Sequence, residues 1–330
     1  DHNLLILKNI MNRLKWIDNI KGFGILLVVL GHIFVCTFNN TYKEYLWFDF
    51  LGSWYMEMFF FFSGFVYTYK GGSLIKFTWK SFKSLVYPCL IIFFLGNGIR
   101  ELLNYWWNGE TYHLESLVWF YWFCKCLFVC RIILYIMIRI HTKTNYKLLN
   151  EVNQAIILTV ILVVLSKYGI EIPCRVKGEF IFYALGYGFR RYGIYLRYGH
   201  NSKVLCFSII GILVGISFRY NILSDLSLPN IITNNLIALP MMVVIYHVFS
   251  KYVDKLNILT KWGGQSLLIY LIHIEILNFI VLLNATFWNF QIQHAIVVLL
   301  GTFLLTWLSF SISTNIQQHR LSRKFFLLKV

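Results

Sequence analysis

Two ionisable residues, Lys21 and His32, lie in one long apolar segment between residues 17 and 38. On an α-helix their spacing is three turns plus about 20°, so they share one face, about 16 Å apart along the axis. Asp18 precedes Lys21 on the same side, where its carboxylate can pair with the ammonium. A cation suits phosphate groups, and an imidazole suits proton transfer near neutral pH. A second interpretation is equally open: Lys21 reaches lipid headgroups, and His32 bonds to a neighbouring helix.

Other ionisable residues fall inside similar apolar segments. If those segments cross a membrane, a charge at the bilayer centre costs at least about 2.5–3.5 kcal/mol, which makes each one a candidate for function. Glu57 is placed at a depth close to that of His32 and could orient its imidazole; the alternative is a structural ion pair with Lys125. His273 is a further candidate, and Glu275 a weaker one. Residues near segment ends are interpreted as interfacial: Arg100, Glu101 and His247.

The composition indicates that these segments do cross a membrane. Of the 330 residues, 58% are hydrophobic, 13% are charged and the mean hydropathy is +0.63, whereas soluble domains are roughly 45–50% apolar and about 25% charged. The formal charge of +16 could suggest nucleic-acid binding. We exclude that class because the Lys and Arg residues lie in short loops between apolar runs, as in membrane proteins.

Ten apolar segments approach the roughly 20 residues that a membrane-spanning helix needs. The sequence therefore predicts an all-α integral membrane protein, a single bundle of about ten transmembrane helices. We expect a cytoplasmic segment at 1–16, a membrane domain at 17–315 and a basic cytoplasmic tail at 316–330. The predicted spans are 17–38, 47–68, 85–107, 116–138, 154–168, 179–193, 203–218, 229–250, 264–284 and 293–315.

The distribution of Lys and Arg predicts the orientation. If the N-terminus is cytoplasmic, the inner segments together hold 21 of these residues and the outer segments hold 6. An excess of positive charge marks cytoplasmic loops, and one miscounted helix would invert every later loop. The alternation therefore favours ten helices with both ends in the cytoplasm.

Five short motifs in order resemble the membrane acyltransferase-3 family, close to its fucose 4-O-acetylase-like members. The resemblance covers residues 14 to 315. The first motif is a basic residue, ten intervening residues and a histidine, here Lys21 and His32; the second is Met56 followed by FFFFSGF at 59–65. The third runs from Leu85 to Pro88 after basic residues, and the fourth is Trp122-Phe123 with Leu127-Phe128. The fifth is a G-x-S-L-x-x-Y-x-x-H pattern formed by Gly264, Ser266-Leu267, Tyr270 and His273. Two positions depart from the family pattern: Glu57 stands where many members have Pro, and the RxxR before the third helix is reduced to Lys80 and Lys83.

This resemblance implies O-acylation of a carbohydrate, with acetyl-CoA as the donor substrate. Lys21 and His32 carry over as residues important for acyl transfer, and Lys80 and Lys83 join Lys21 as candidate donor contacts. Ser63 and Gly64 are expected to shape the second helix for packing. We expect no metal and no permanently bound cofactor. The expected partners are the lipid bilayer of the inner (plasma) membrane, acetyl-CoA and a carbohydrate acceptor.

Two other functions remain open from the residues. A bundle with buried Lys, Glu and His could be a transporter or flippase for a glycan or metabolite. Transporters often carry an internal repeat and paired helix breaks at Gly or Pro; we find no repeat, and the four Pro residues show no such pairing. A non-catalytic scaffold of a glycan-assembly complex is the third possibility.

Overall fold

The computed structural model describes eight stretches of the chain, and every regular element in them is helical. The described residues are 15–38, 45–108, 121–144, 151–167, 176–222, 230–252, 257–283 and 295–327. The helices are α1 (Lys15–Phe38), α2 (Leu46–Gly52), α3 (Tyr55–Phe65), α4 (Leu74–Ser81), α5 (Tyr87–Asn108), α6 (Trp122–Thr144), α7 (Glu151–Lys167), α8 (Val176–Arg191), α9 (Ile194–Tyr198), α10 (Ser202–Arg219), α11 (Asn230–Tyr252), α12 (Asn257–Gly264), α13 (Ser266–Leu283), α14 (Ala295–Gln318) and α15 (Arg320–Leu327).

Six of the described helices are long and apolar enough to cross a membrane. They are α1, the continuous helix formed by α4 and α5, α10, α11, α13 and α14. The described residues therefore confirm a helical fold with several helices that could cross a membrane. The other four predicted spans correspond to helices that are shorter or more charged; they are 47–68, 116–138, 154–168 and 179–193. Residues 116–120 lie outside the described part. The total of ten spans and the orientation stay predictions.

The predicted span 47–68 is not one continuous helix, so that prediction is wrong in this detail. The chain turns at Ser53 and Trp54, between α2 and α3. The Ser53 hydroxyl donates to the carbonyl of Phe50 at 2.7 Å, which satisfies a carbonyl at the end of α2. Ser competes in this way with the helical backbone for hydrogen bonds, so the local side chain favours the turn.

The predicted third span begins earlier than expected, because α4 continues into α5 through a π-helical turn at Phe82–Val86. Pro88, two residues after this turn, has no N–H to donate to the carbonyl of residue 84, as an α-helix would require. The wider turn accommodates this missing bond. The Ser84 hydroxyl instead donates to the carbonyl of Ser81 at 3.1 Å.

Helix α12 packs on the first turns of α1 at very short range. An added Cβ at Gly22 would collide with the backbone carbonyl of Leu259, and one at Gly263 would collide with the carbonyl of Asp18. Small residues at helix contacts let backbones approach this closely in membranes. The position of α12 relative to α1 is thus set by backbone contact.

Two glycines join α3 and α8 in the same way. Gly64 faces the carbonyl of Tyr183, and Gly186 faces the carbonyl of Phe61. The predicted packing role of Gly64 therefore has a specific partner. Around this crossing, buried aromatic side chains fill the core between α3, α6 and α13, including Phe60, Phe123 and Tyr270 with ring centroids 5.1–5.5 Å apart in successive pairs.

The backbone contact at Gly22 leaves no room for a larger side chain at this position. We expect Gly22→Ala to lower the apparent midpoint of thermal unfolding of the purified protein in detergent, since overpacking costs about 1–3 kcal/mol. Gly98→Ala on α5 is the control, because nothing lies within 4 Å of its added Cβ. A Gly22→Ala midpoint no lower than that of Gly98→Ala would contradict the packing.

Candidate active site

The structure brings together two histidines that the sequence places 241 residues apart. The Nδ1 atom of His32 on α1 lies 2.8 Å from the Nε2 atom of His273 on α13. Their rings are stacked, with centroids 5.1 Å apart and 23° between the planes. His273 is fully buried, and His32 is part-buried. Two residues predicted separately thus form one pair.

The hydrogen bonds of His273 determine which nitrogen carries each proton in the neutral pair. Its Nδ1 atom lies 2.9 Å from the carbonyl oxygen of Ile269, and a carbonyl only accepts, so Nδ1 of His273 is protonated. In a neutral ring, Nε2 of His273 is then an acceptor, and Nδ1 of His32 must donate to it. Neutral His32 consequently has its lone pair on Nε2. The second ring nitrogen of a histidine commonly sets the tautomer in this manner.

Helices α1 and α13 run side by side in the same direction. Lys21 and Leu267, near their first turns, line one cavity, whereas His32 and His273, farther along, are bonded to each other. Both helices therefore begin on the same side of the bundle, as the predicted topology requires for its first and ninth spans. The histidine pair lies about 16 Å along α1 from the level of Lys21.

A cavity of about 150 Å³ occupies the space between Lys21 and the histidine pair. Its far end reaches Val28 and Tyr270, which lie about one helical turn before His32 and His273. The lining is largely apolar, with side chains from α1, α3, α6 and α13 and with Leu85 of the π-helical turn. Four lining residues carry a charge or a hydroxyl: Lys21, Ser63, Ser266 and Tyr270. We call this space the inner cavity.

Several predicted residues lie elsewhere. Lys80 is exposed on α4, and the ammonium of Lys83 lies over the ring of Trp79, 5.2 Å from its centroid. Neither lysine lines the inner cavity, so the structure does not bring these two predicted donor contacts to Lys21.

Glu57 and Lys125 are part-buried on α3 and α6. The Nδ1 atom of His32, which Glu57 was predicted to orient, is bonded to His273. The roles of both residues stay predictions. Among the residues that the structure describes, no three His, Cys, Asp or Glu side chains gather as metal ligands would.

Arg100, which the sequence analysis interprets as interfacial, is buried in the bundle beside an ionisable partner. Arg100 is 3% exposed, and its Nη1 atom lies 3.4 Å from Oε2 of Glu275. Its Nη2 atom donates to Oδ1 of Asn97 at 2.6 Å, while the Tyr121 hydroxyl donates to Oε1 of Glu275 at 2.5 Å. Charges inside a membrane bundle need such internal partners. Asn97 lies three residues before Arg100 on the same helix, but position near a segment end could not reveal Glu275, because it comes from a remote part of the chain.

His247, which the sequence analysis interprets as interfacial, is also buried against protein. This residue of α11 is 5% exposed, and its Nδ1 atom donates to the carbonyl of Gly199 at 3.1 Å. The bond joins α11 to the turn after α9. His247 therefore connects helices and lies apart from the paired histidines.

Comparison with protein families identifies the class of the protein. The family model of the acyltransferase-3 acyltransferase domain matches residues 14–314, which is nearly the whole chain. The chain belongs to the acyltransferase-3 family. Comparisons with curated proteins and with solved structures give no match. The acyltransferase-3 assignment confirms the family resemblance and makes the protein a membrane acyltransferase; the fucose 4-O-acetylase-like subtype stays a prediction.

The buried ion pair of this acyltransferase-3 protein predicts a non-additive loss of stability. We expect Arg100→Met alone to lower the apparent unfolding midpoint strongly, because removing one partner of a buried pair costs about 3–5 kcal/mol. Arg100→Met combined with Glu275→Gln should recover most of the loss, since the remaining amide is neutral and still accepts from Tyr121.

The control for this cycle is Arg197→Met, at an exposed position on α9. It should leave the midpoint nearly unchanged. A double variant at least as unstable as Arg100→Met would show that the ion pair does not account for the effect.

Proposed function

We propose that this acyltransferase transfers an acetyl group from acetyl-CoA to a sugar hydroxyl of a cell-surface glycan or its precursor. The observation that carries the proposal is the hydrogen-bonded pair of His32 and His273, which lies about one helical turn beyond the far end of an apolar cavity that Lys21 lines. The tautomer set by the Ile269 carbonyl gives neutral His32 a lone pair on Nε2. That atom is the general base of the proposed reaction.

In the proposed reaction, Nε2 of His32 takes the proton of the acceptor hydroxyl as its oxygen attacks the thioester carbonyl carbon. The new C–O bond forms, the C–S bond breaks, and the proton passes from His32 to the departing sulfur, so that the products are the ester and free coenzyme A. His273 accepts a hydrogen bond from Nδ1–H of His32 throughout. It orients the imidazole and stabilises its charged form, as the third member of a catalytic triad does.

Lys21 serves the donor in this proposal. Its backbone lies about 16 Å from that of His32 along α1, which separates it from the reacting carbonyl. An ammonium at that level attracts the phosphorylated donor, and the apolar lining of the inner cavity keeps water from the thioester. The hydroxyls of Ser63, Ser266 and Tyr270 can bond to the polar groups of the donor arm.

The small inner cavity supports a short acyl group. At about 150 Å³ it is below the roughly 300–1,000 Å³ of pockets that enclose a whole drug-sized ligand. A slim arm ending in acetyl suits this space better than a long acyl chain does. The donor enters from the cytoplasm in this proposal, and the acceptor reaches His32 from the outer side or the membrane midplane of the plasma membrane.

Membership of the acyltransferase-3 family does not favour the transporter or flippase alternative. Transport predicts movement of a glycan without consumption of acetyl-CoA. The acyltransferase predicts acetyl-CoA turnover that depends on an acceptor.

The proposal predicts a loss of glycan acetylation when His32 is removed. In a strain deleted for this gene, we expect the wild-type gene to restore base-labile acetate on surface glycans. His32→Ala should slow acetyl transfer about 10²–10⁴-fold, the usual contribution of a general base, so this variant should restore little acetate. Lys21→Ala should lower it by raising the donor concentration required.

The matched control for that assay is His319→Ala, because His319 is an exposed histidine. At equal protein level in the membrane it should restore acetate fully. Full restoration by His32→Ala would remove His32 from the chemistry, and unchanged acetate on deletion would bring transport or scaffolding forward.

A double-substitution cycle tests whether His273 acts through His32. His273→Leu should lower the transfer rate in the wild-type background and have no further effect in His32→Ala, because residues that act as one unit are non-additive. His273→Gln should retain part of the rate, since its amide can accept from His32 and donate to Ile269. An equal loss from His273→Leu in both backgrounds would instead indicate a structural role.

A further inference from the structure

A second, larger cleft opens beside the start of α1, outside the inner cavity. Its volume is about 420 Å³. Lys15 and Asp18 of α1 form one wall, and Lys261 and Gly264 of α12 form another. Gln317 of α14 and Gln265, which follows α12, complete it. We call this space the outer cleft because it lies outside the inner cavity; the name does not refer to a side of the membrane.

The outer cleft and the inner cavity are lined by neighbouring residues on two chain segments. On α1, Lys15 and Asp18 line the outer cleft, and Lys21 lines the inner cavity one turn later. At the junction of α12 and α13, Gln265 lines the cleft while the next residue, Ser266, lines the cavity. Residues three or four apart share a helix face. One face of α1 therefore extends from the cleft, through the cavity, to His32.

The walls of the outer cleft are held in place by specific contacts. Gly22 and Gly263 fix α12 against α1 by backbone contact, and the Thr260 hydroxyl donates to Oδ1 of Asn19 at 2.6 Å. The junction residue Gln265 donates to the Thr314 hydroxyl of α14 at 3.2 Å. Lysines from α1 and α12 are thus presented to one space by a rigid frame.

The chemistry of the outer cleft suits a phosphorylated ligand. Lys15 and Lys261 are exposed cations from two different helices, and the amides of Gln265 and Gln317 add hydrogen-bond donors. The carboxylate of Asp18 is 5% exposed and opposes them with one negative charge. The volume falls within the usual range of ligand pockets, whereas the inner cavity is much smaller. The two spaces together fit a molecule with a bulky anionic head and a slim neutral arm.

We infer that the outer cleft binds the phosphorylated nucleotide end of acetyl-CoA, with Lys15 and Lys261 on its phosphates, while the thioester arm extends through the inner cavity to the histidine pair. The inference rests on the proposed function for the identity of the donor. It moves the phosphate contacts from Lys80 and Lys83 to residues that no sequence motif marked.

Binding of free coenzyme A to the purified full chain in nanodiscs tests this site without any acceptor. We expect Lys15→Ala and Lys261→Ala each to weaken binding about three- to tenfold, and the double variant to weaken it more. Lys261→Arg should retain affinity, because the charge is kept. Wild-type binding should fall as salt rises, and the double variant should depend less on salt. Coenzyme A without its 3′-phosphate should bind the wild type more weakly.

Lys80→Ala and Lys83→Ala are the matched controls and should bind coenzyme A as the wild type does. Unchanged binding in the Lys15 and Lys261 variants, with wild-type binding measurable, would overturn the outer cleft and leave the proposed function standing. A loss confined to the Lys80 and Lys83 variants would also overturn it and restore the site predicted from sequence. No binding of coenzyme A to the wild type would overturn the donor assignment itself.

Discussion

The hydrogen bond between His32 and His273 requires α1 and α13 to lie side by side with these two residues at one level. Two imidazoles in an apolar interior must satisfy each other, because no solvent is there to replace a lost partner. The carbonyl of Ile269 completes the chain of bonds. Other features of the fold serve this register, above all the glycine contacts that hold α12, directly before α13, against the first turns of α1.

Polar groups occur in order along α1 from the outer cleft to the histidine pair. Exposed Lys15 and Lys261 stand at the outer cleft, Lys21 enters the inner cavity, and the histidine pair lies beyond it. The buried ion pair of Arg100 and Glu275 follows on the next part of α13. Ionisable residues are costly inside a membrane and are retained where they pair or act. A phosphorylated thioester donor would require this order, with the cations at its phosphates and the imidazoles at its thioester.

Membership of the acyltransferase-3 family restricts the activity to acyl transfer. Our proposal gives each residue of the site a separate role in that reaction. His32 is the group that meets the reacting atoms in our proposal, and His273 is a positioning residue. In the same proposal, Lys21 acts at a distance, on the donor. This division explains why a basic residue and a histidine occur on one helix at a spacing too large for them to act on one bond.

The amino-acid sequence alone determined the features that depend on neighbours along the chain. Hydropathy indicated a helical membrane protein, helical periodicity placed Lys21 and His32 on one face, and ordered motifs indicated the family. Local side chains also explain where the observed helices differ from the predicted spans, as at the turn at Ser53.

Only the tertiary structure decided which distant residues meet. It paired His32 with His273, buried Arg100 against Glu275, and placed Lys261 opposite Lys15 across the outer cleft. Periodicity specifies a face of one helix but not the helix that covers it, because that choice depends on the packing of backbones and side chains from remote segments. For this reason the face of α1 that carries Lys21 and His32 could be predicted from the sequence, whereas the helices that pack against it could not.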